Sequence, residues 1–334
     1  MNAAFVSAFR EPRIVEEVRQ LSSVSDVRGA AAIARQWILI IACIAGATWI
    51  GGPVAYLAAI FIIAGRQHAL GVLMHDAAHY RLFSVRWLNE TVSDLFCALP
   101  LGLLTVRYRY DHLRHHQHAV TVEDPYWVTM QQYPAGWRWP KSPARAAFSL
   151  LADLLGPGAV AFYRDWYSWL PWPNHFSRRD YPVRLDAASR LRCYGFFLTV
   201  GAAVAYTGAW WGFFAFYIVP QLTFLPVFLR IRAVAEHLAP PGDEGLDATR
   251  DTVPTLLERN TVAPLSISYH LTHHMFPGVP YYNLPRLSAL LLSDPAFREH
   301  ARVSMSYFGR FGVVWREMIR RRHPAGEAAP SPRR

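Results

Sequence analysis

Trp37-Ile-Leu-Ile-Ile-Ala-Cys-Ile-Ala-Gly-Ala-Thr-Trp-Ile50 is followed by Gly51-Gly52-Pro53 and then by Val54-Ala-Tyr-Leu-Ala-Ala-Ile-Phe-Ile-Ile-Ala64. Two uncharged apolar runs divided by a Gly-Gly-Pro turn predict a hairpin of membrane-crossing helices, over about residues 33–65. A second hairpin is expected over about 193–229, where the apolar chain from Cys193 turns at Thr207-Gly208-Ala209 and resumes at Trp210. The whole chain agrees with this reading, for its 334 residues are 52% hydrophobic and only 17% charged, too apolar for an ordinary soluble domain. A net charge of +10 then points to anionic lipid headgroups rather than nucleic acid. The expected fold is an all-α integral membrane protein with about four transmembrane helices and a cytoplasmic helical cap.

Basic residues orient it. Lys and Arg from Arg66 to Arg184 crowd the segment between the hairpins, whereas neither tight turn contains one. Short basic loops stay cytoplasmic, so this segment and both termini are expected inside, in an inner or plasma membrane. The N-terminus lacks the pattern of a cleaved secretory signal. The division expected is an N-terminal interfacial segment 1–32, a membrane domain 33–290 with cytoplasmic parts at 66–192 and 230–290, a helical C-terminal region 291–323, and a disordered tail 324–334. Thr91 to Val106 is apolar but contains Asp94 and Pro100, which suits an interfacial or re-entrant segment better than a span. Phe162, Tyr163, Trp166, Tyr167, Trp169 and Trp172 read as the aromatic face of a helix in the headgroup layer, with core packing as the alternative. Cys43, Cys97 and Cys193 are too few and too scattered for a disulfide framework or a four-thiolate cluster.

Fourteen histidines carry the chemistry. His75-Asp-Ala-Ala-His79 lies just past the expected second span, His112-Leu-Arg-His115-His116 in the middle segment, and His270-Leu-Thr-His273-His274 after the last span. Positions i, i+3 and i+4 share one helical face, so each box is expected to present its imidazoles in one direction. Glu236-His237 adds a ninth ring. A lone histidine is usually a packing or surface residue, but eight in three boxes are not. Nitrogen donors without thiolates suit iron, zinc, copper or nickel, and nine are too many for one ion, so two metals are expected.

The three boxes, in this order and flanked by two hydrophobic hairpins, resemble the integral-membrane fatty acid desaturase family and its hydroxylase relatives. The resemblance covers about Ile33 to Leu290 and is most specific from Tyr269 to Arg286, with Glu123-Asp124-Pro125 after the second box a further match. It implies two iron ions, dioxygen as co-substrate, and hydrogen abstraction from an unactivated methylene of a fatty acyl or other lipid chain. It assigns His75, His79, His112, His115, His116, His237, His270, His273 and His274 as metal ligands. Ligating imidazoles give their second ring proton to an acceptor. Asp76, Asp111, Asp124 and Glu236 adjoin boxes and are candidates for that role, and His118 is a candidate neighbour of the centre. Two positions depart from the family pattern: Ser268 stands where many members have Asn, and Thr272 where many have an acid. His68 lies two turns before His75 and reads as a packing residue.

With no dinucleotide fingerprint, flavin fingerprint or cluster cysteines in the chain, the two electrons are expected from an external carrier, a ferredoxin or a cytochrome b5-like protein with its reductase. A hydroxylase or ketolase shares the first chemical step. A membrane zinc hydrolase reading of His75-Asp-Ala-Ala-His79 leaves the other boxes unexplained, and a haem carrier would need a haem band.

Overall fold

The computed structural model describes residues 12–166, 169–170, 183–237, 249–308 and 313–319. Tyr167, Trp172 and the tail from Pro324 lie outside them, as do 1–11 of the N-terminal segment and most of the end of the C-terminal region.

Helix α1, Pro12–Leu21, leads to α2, Asp26–Ile50, and α3, Gly52–Ala78. Ser25 caps α2 by accepting from the Arg28 N–H. Gly51 and Gly52 make the turn at φ of 71° and 81°, a region only glycine occupies without strain, and Pro53 starts α3. At about 1.5 Å per residue, the 27 residues of α3 reach some 40 Å, beyond a bilayer core. The expected hairpin is therefore present, with one difference: α3 continues straight through His68 and His75, so the first box rides on the spanning helix instead of following it.

Helix α4, Arg86–Ser93, runs into a widened turn at Asp94–Ala98 and a tight one at Leu99–Leu101. This is the segment with Asp94 and Pro100. It contains no helix long enough to span, and most of it is packed, with Asp94 buried and ion-paired to Arg192 at 2.9 Å while Phe96 is exposed. Then come α5, Thr105–His118, α6, Pro125–Gln132, α7, Pro143–Leu154, and α8, Pro157–Asp165. Phe162, Trp166 and Trp169 are buried in the main core, so the core-packing alternative describes these rings and the headgroup face does not.

Helix α9, Ala187–Thr207, turns at Gly208 into α10, Trp210–Glu236, which carries a widened turn at Phe214–Ile218 and a break at Thr223. Among the described residues three helices, α2, α3 and α10, are long and apolar enough to cross a membrane. A fourth would be counted only if the α7–α8 pair, bent by 86°, is one broken span. The expected arm α9 forms where predicted but is not among them, its hydropathy diluted by Arg190 and Arg192 in its first turns.

The expectation of an all-α chain needs a small correction. A parallel two-stranded sheet joins β1, Asp251–Val253, to β2, Val303–Met305. Between them lie α11, His270–Met275, α12, Leu284–Leu291, and α13, Pro295–His300, with α14, Val313–Met318, after β2. Leu271, Leu284, Leu287, Leu291 and Phe297 form a buried cluster with Leu21 that fixes α11. Each such side chain taken from water contributes about 1.5–3 kcal/mol. Gly65 on α3 permits the closest approach in this region, since a Cβ there would meet the Asn260 carbonyl oxygen at 2.1 Å. Arg66 and His68 then bond to the carbonyls of Asn260 and Thr261, at 2.8 and 2.7 Å.

Candidate metal centre

The nine histidines converge, but not box by box. His75, His79, His112, His116 and His273 form one group, and His115, His237, His270 and His274 a second, with donor atoms within 4.8 Å of one another in each. The expectation that each box faces one way holds for His75 and His79 and is corrected for the other two boxes. His112 and His116, four apart, share a face of α5, while His115, three from His112 and adjacent to His116, projects into the other group. On α11 the same split sends His273 one way and His270 and His274 the other. The rings of His116 and His274 stack across the divide with centroids 4.1 Å apart.

Metal fit follows from the nitrogen spacing. In the first group Nε2 atoms approach at 2.9 Å (His112–His79), 3.1 Å (His116–His112) and 3.1 Å (His273–His116). In the second, His270 Nε2 lies 2.9 Å from His237 and 3.0 Å from His274. These contacts cannot all be hydrogen bonds. A neutral imidazole has one N–H, and either way of alternating the protons along His79, His112, His116 and His273 leaves one hydrogen, that of His112 or of His116, to serve two neighbours. A shared ion resolves this, because two nitrogens about 2.0–2.1 Å from one metal at a right angle are about 2.9 Å apart. His115 Nε2 and both nitrogens of His75 are buried without a hydrogen-bond partner among the described residues, which leaves each ring a lone pair to offer an ion. Burial, and then the neighbouring imidazoles, hold His112, His270, His273 and His274 well below the ordinary imidazole value. They are thus neutral donors, the form that binds metal.

Positioning residues divide into those sequence adjacency suggested and those it missed. Asp124 is buried, and its Oδ2 accepts from His115 Nδ1 at 2.9 Å and from the Val120 N–H at 2.9 Å, while Oδ1 accepts from the Tyr126 N–H at 2.8 Å. Burial pushes this carboxyl up, but the bonds from His115 and the two backbone amides outweigh it and bring it below the usual value. Asp76 stands 3.6 Å from His75 Nδ1, beyond hydrogen-bond range, and accepts from the Tyr281 N–H at 2.9 Å instead. Glu236 is likewise 3.6 Å from His270 Nε2, and its other oxygen holds Arg232 at 2.8 Å. Asp111 is buried, and its charge acts on Tyr126. Ser268 is buried with its hydroxyl unpartnered among the described residues. His118 does not join: it sits half-buried at the end of α5, outside both groups, and its charge acts on Glu123. His68 packs as expected.

Missed were Asp251, Tyr126 and Arg109. Asp251 is buried and accepts from both the backbone and the hydroxyl of Thr272, and from Ser288 at 2.7 Å. An acid absent from inside the third box is thus supplied from outside it, 21 residues upstream, where no spacing rule would look. Tyr126 lies 3.1 Å from His112 Nδ1 and stacks on His115 at 4.4 Å. Its place two residues after Asp124 was the available signal. Arg109 ties off α3 by donating to the carbonyls of Ala77 and Ala78 at 2.9 and 2.8 Å, a cation at a helix C-terminus that fixes His79 beside it.

A cavity reaches this centre. His112, His115, His237 and His270 line it together with Tyr108, Tyr126, Trp137, Phe162, Trp166, Trp169, Leu225 and Leu229, which make its walls largely apolar. Two imidazole clusters opening on an apolar cavity can set a hydrocarbon beside groups able to hold metal.

Comparison with known proteins agrees. The sequence profile of the family described as fatty acid desaturase matches residues 26–307. The chain is 28% identical to the dihydrorhizobitoxine desaturase of Bradyrhizobium elkanii over 305 residues, 88% of this chain and 83% of that one. It is 28% identical to the chloroplastic omega-6 fatty acid desaturase of Brassica napus, over 64% of this chain and 48% of the plant protein. It is also 26% identical to the sn-1 oleoyl-lipid 12-desaturase of Anabaena variabilis, over 64% of this chain and 62% of that one. Convergent histidines, membrane-length helices and a match over most of the length lead to one conclusion: this chain belongs to the fatty acid desaturase family.

Proposed function

We propose that the protein is a membrane desaturase that removes two hydrogens from a saturated segment of an acyl or related chain, with two irons held by the nine histidines. The observation that carries this reading is the joining of two imidazole groups to one apolar-walled cavity, since His112, His115, His237 and His270 belong to both. With iron bound, dioxygen and two electrons would supply the oxidant that no side chain provides. The chain's own residues do the rest. Asp124 holds the His115 proton on Nδ1 and so turns the Nε2 lone pair inward. The Tyr126 hydroxyl bonds His112 Nδ1 in the same sense. The Trp166 and Trp169 rings, with Tyr108, press a bound chain against the centre and keep water away from it.

The bilayer arrangement proposed is two hairpins, α2–α3 and α9–α10, making four crossings. Trp49, Tyr206, Trp210 and Trp211, all exposed, cluster near the two turns and suit an interfacial belt. The opposite ends, with the histidines, the basic residues and both termini, face the cytoplasm, in the domain division 1–32, 33–290, 291–323 and 324–334. A basic face there would receive the external electron carrier, a ferredoxin or cytochrome b5-like protein. Mass spectrometry of lipids from a host expressing the protein with a compatible donor, against His273→Ala, tests the reading. A product lighter by two hydrogens supports it, a product gaining oxygen makes it a hydroxylase, and identical profiles refute it.

A further inference from the structure

Helices α7, Pro143–Leu154, and α8, Pro157–Asp165, meet at 86°, and together they are apolar enough for a span. Their length forbids a crossing. Twelve and nine residues at about 1.5 Å each, set at a right angle, put the outer ends only about 22 Å apart, short of a hydrocarbon core of about 30 Å. The bend follows from Gly156-Pro157-Gly158. Gly156 takes a φ of 99°, Pro157 starts α8 with no N–H to satisfy, and a Cβ at Gly158 would meet the Asp153 nitrogen at 2.6 Å.

Both outer ends are tied to the histidine side of the molecule. Just before α7, the Lys141 N–H donates to the Met318 carbonyl of α14 at 3.1 Å, and the neighbouring Glu317 pairs with Arg250 beside β1 at 2.6 Å. Just after α8, Trp166 packs on Tyr126 with ring centroids 5.0 Å apart, and Tyr126 bonds His112. The bend itself lies against α10, since a Cβ at Gly156 would stand 4.0 Å from the Leu222 carbonyl oxygen. Leu222 is the thirteenth of the 27 residues of α10. The pair therefore reaches the middle of that helix and returns to the side it came from.

Charge is sorted to match. Arg145 and Arg164 bracket the pair, and both are exposed. Between them the sequence has one charged residue, Asp153, which is buried and accepts from Arg230 Nη2 at 2.8 Å. A charge at membrane depth is tolerated when it faces the protein and is paired. The outward side is apolar: Phe148 is 73%, Leu155 68% and Val160 70% exposed, with Leu151 half-exposed. From the other side of α8, Phe162 and Tyr163 line the cavity.

We propose, resting on the four-crossing arrangement, that α7–α8 is a re-entrant elbow in the cytoplasmic leaflet, with Phe148, Leu151, Leu155 and Val160 against lipid acyl chains. Contact with the middle of α10 sets this face among hydrocarbon, and its lack of outward charge gives a soluble partner no ionic group to recognise. One helix, about 10 Å across, then separates the cavity from the acyl chains of the leaflet.

The test places a nitroxide on single cysteines, Phe148→Cys, Leu155→Cys and Val160→Cys, in the full chain in lipid nanodiscs, with labelled wild type as the blank for Cys43, Cys97 and Cys193. Spin relaxation by dissolved oxygen, which concentrates in hydrocarbon, is compared with relaxation by a water-soluble nickel chelate. Gln131→Cys, exposed on α6, gives the aqueous value, and Leu198→Cys, exposed on α9, gives the value of a proposed span. All three elbow labels should show the high oxygen and low nickel effects of the Leu198 site. The oxygen-to-nickel ratio should be higher at position 155 than at position 148, which lies about 10 Å further from the bend along α7. Leu151→Cys replaces any of the three that does not fold. Elbow labels that read like the Gln131 site, or that neither reagent reaches, overturn the inference while the Leu198 site still reads as lipid. A Leu198 site that reads as water overturns the four-crossing arrangement, and the elbow with it.

Discussion

Replacing Asp124 with Asn probes the link between one carboxylate and one half of the centre. Asp124 serves three donors with two oxygens: His115 Nδ1 and the Val120 amide on Oδ2, and the Tyr126 amide on Oδ1. Asn has one oxygen. If that oxygen keeps the Tyr126 amide, helix α6 remains capped, since Asn caps as well as Asp. The new NH2 then faces two donors. Val120 loses its acceptor at a cost of about 1–3 kcal/mol. His115 can bond the NH2 only by moving its proton to Nε2, the atom assigned to metal. Loss of such a partner typically lowers metal affinity by about 10–100-fold. The loss should fall on the group of His115, His237, His270 and His274, because no ring of the other group touches Asp124. Purified protein titrated with graded chelator, with metal per chain read at each step, should release one ion at about 10–100-fold lower chelator than wild type and the second at the wild-type level. Asp124→Ala should do the same and lose about 1 kcal/mol more through the missing cap. An Asp124→Asn titration identical to wild type would refute the argument, as would equal weakening of both ions.

His273→Ala should abolish product formation and lower bound metal, whereas His118→Ala should keep both near wild type, checked by metal analysis and lipid mass spectrometry. Thr272→Val withdraws a hydroxyl from buried Asp251 and should cost about 1–3 kcal/mol, seen as a lower thermal midpoint. Gly65→Ala sets a methyl 2.1 Å from the Asn260 oxygen and should cost at least about 1–3 kcal/mol, with a lower yield of folded protein; a midpoint equal to wild type would contradict the packing. The metal-free protein should lose stability in acid. Folded values of His112, His270 and His273 lie well below 6.5, so these rings contribute fully above pH 6.5. Below it the unfolded chain binds protons that the folded one does not. Each ring then removes about 1 kcal/mol between pH 6.5 and 5.5, about 3 kcal/mol for the three, because the unfolded ring is already half protonated at the upper end. A melting midpoint of chelator-treated protein that stays flat over that range would count against it.

The hairpin at Gly51-Gly52-Pro53 and the three boxes were legible in the sequence because both are local: a turn needs its glycines in place, and helical spacing repeats every three or four residues. What could not be read is tertiary. That His115 leaves its box-mates depends on where α10 brings His237. That Thr272 rests on Asp251 depends on β1 pairing with β2. The aromatic run around Phe162 has the same pattern on a lipid-facing helix and on a packed one, and only the neighbours Trp137 and Tyr126 decide between them. The weaker apolar character of α9 was present in Arg190 and Arg192, but a continuous run after Cys193 outweighed it in the reading.

The split of the boxes has a mechanical consequence. His115 and His116 are joined by one peptide bond, as are His273 and His274, and in each couple the two rings serve different groups. Consecutive Cα atoms are fixed about 3.8 Å apart. The gap between the two halves is therefore set at two points by covalent bond lengths instead of by how tightly helices press together. A tilt of α3 or α10 under swelling, thinning or chemical change of the surrounding membrane moves His75, His79 or His237, but the two peptide links limit how far the halves can part, so the centre has a ruler of its own.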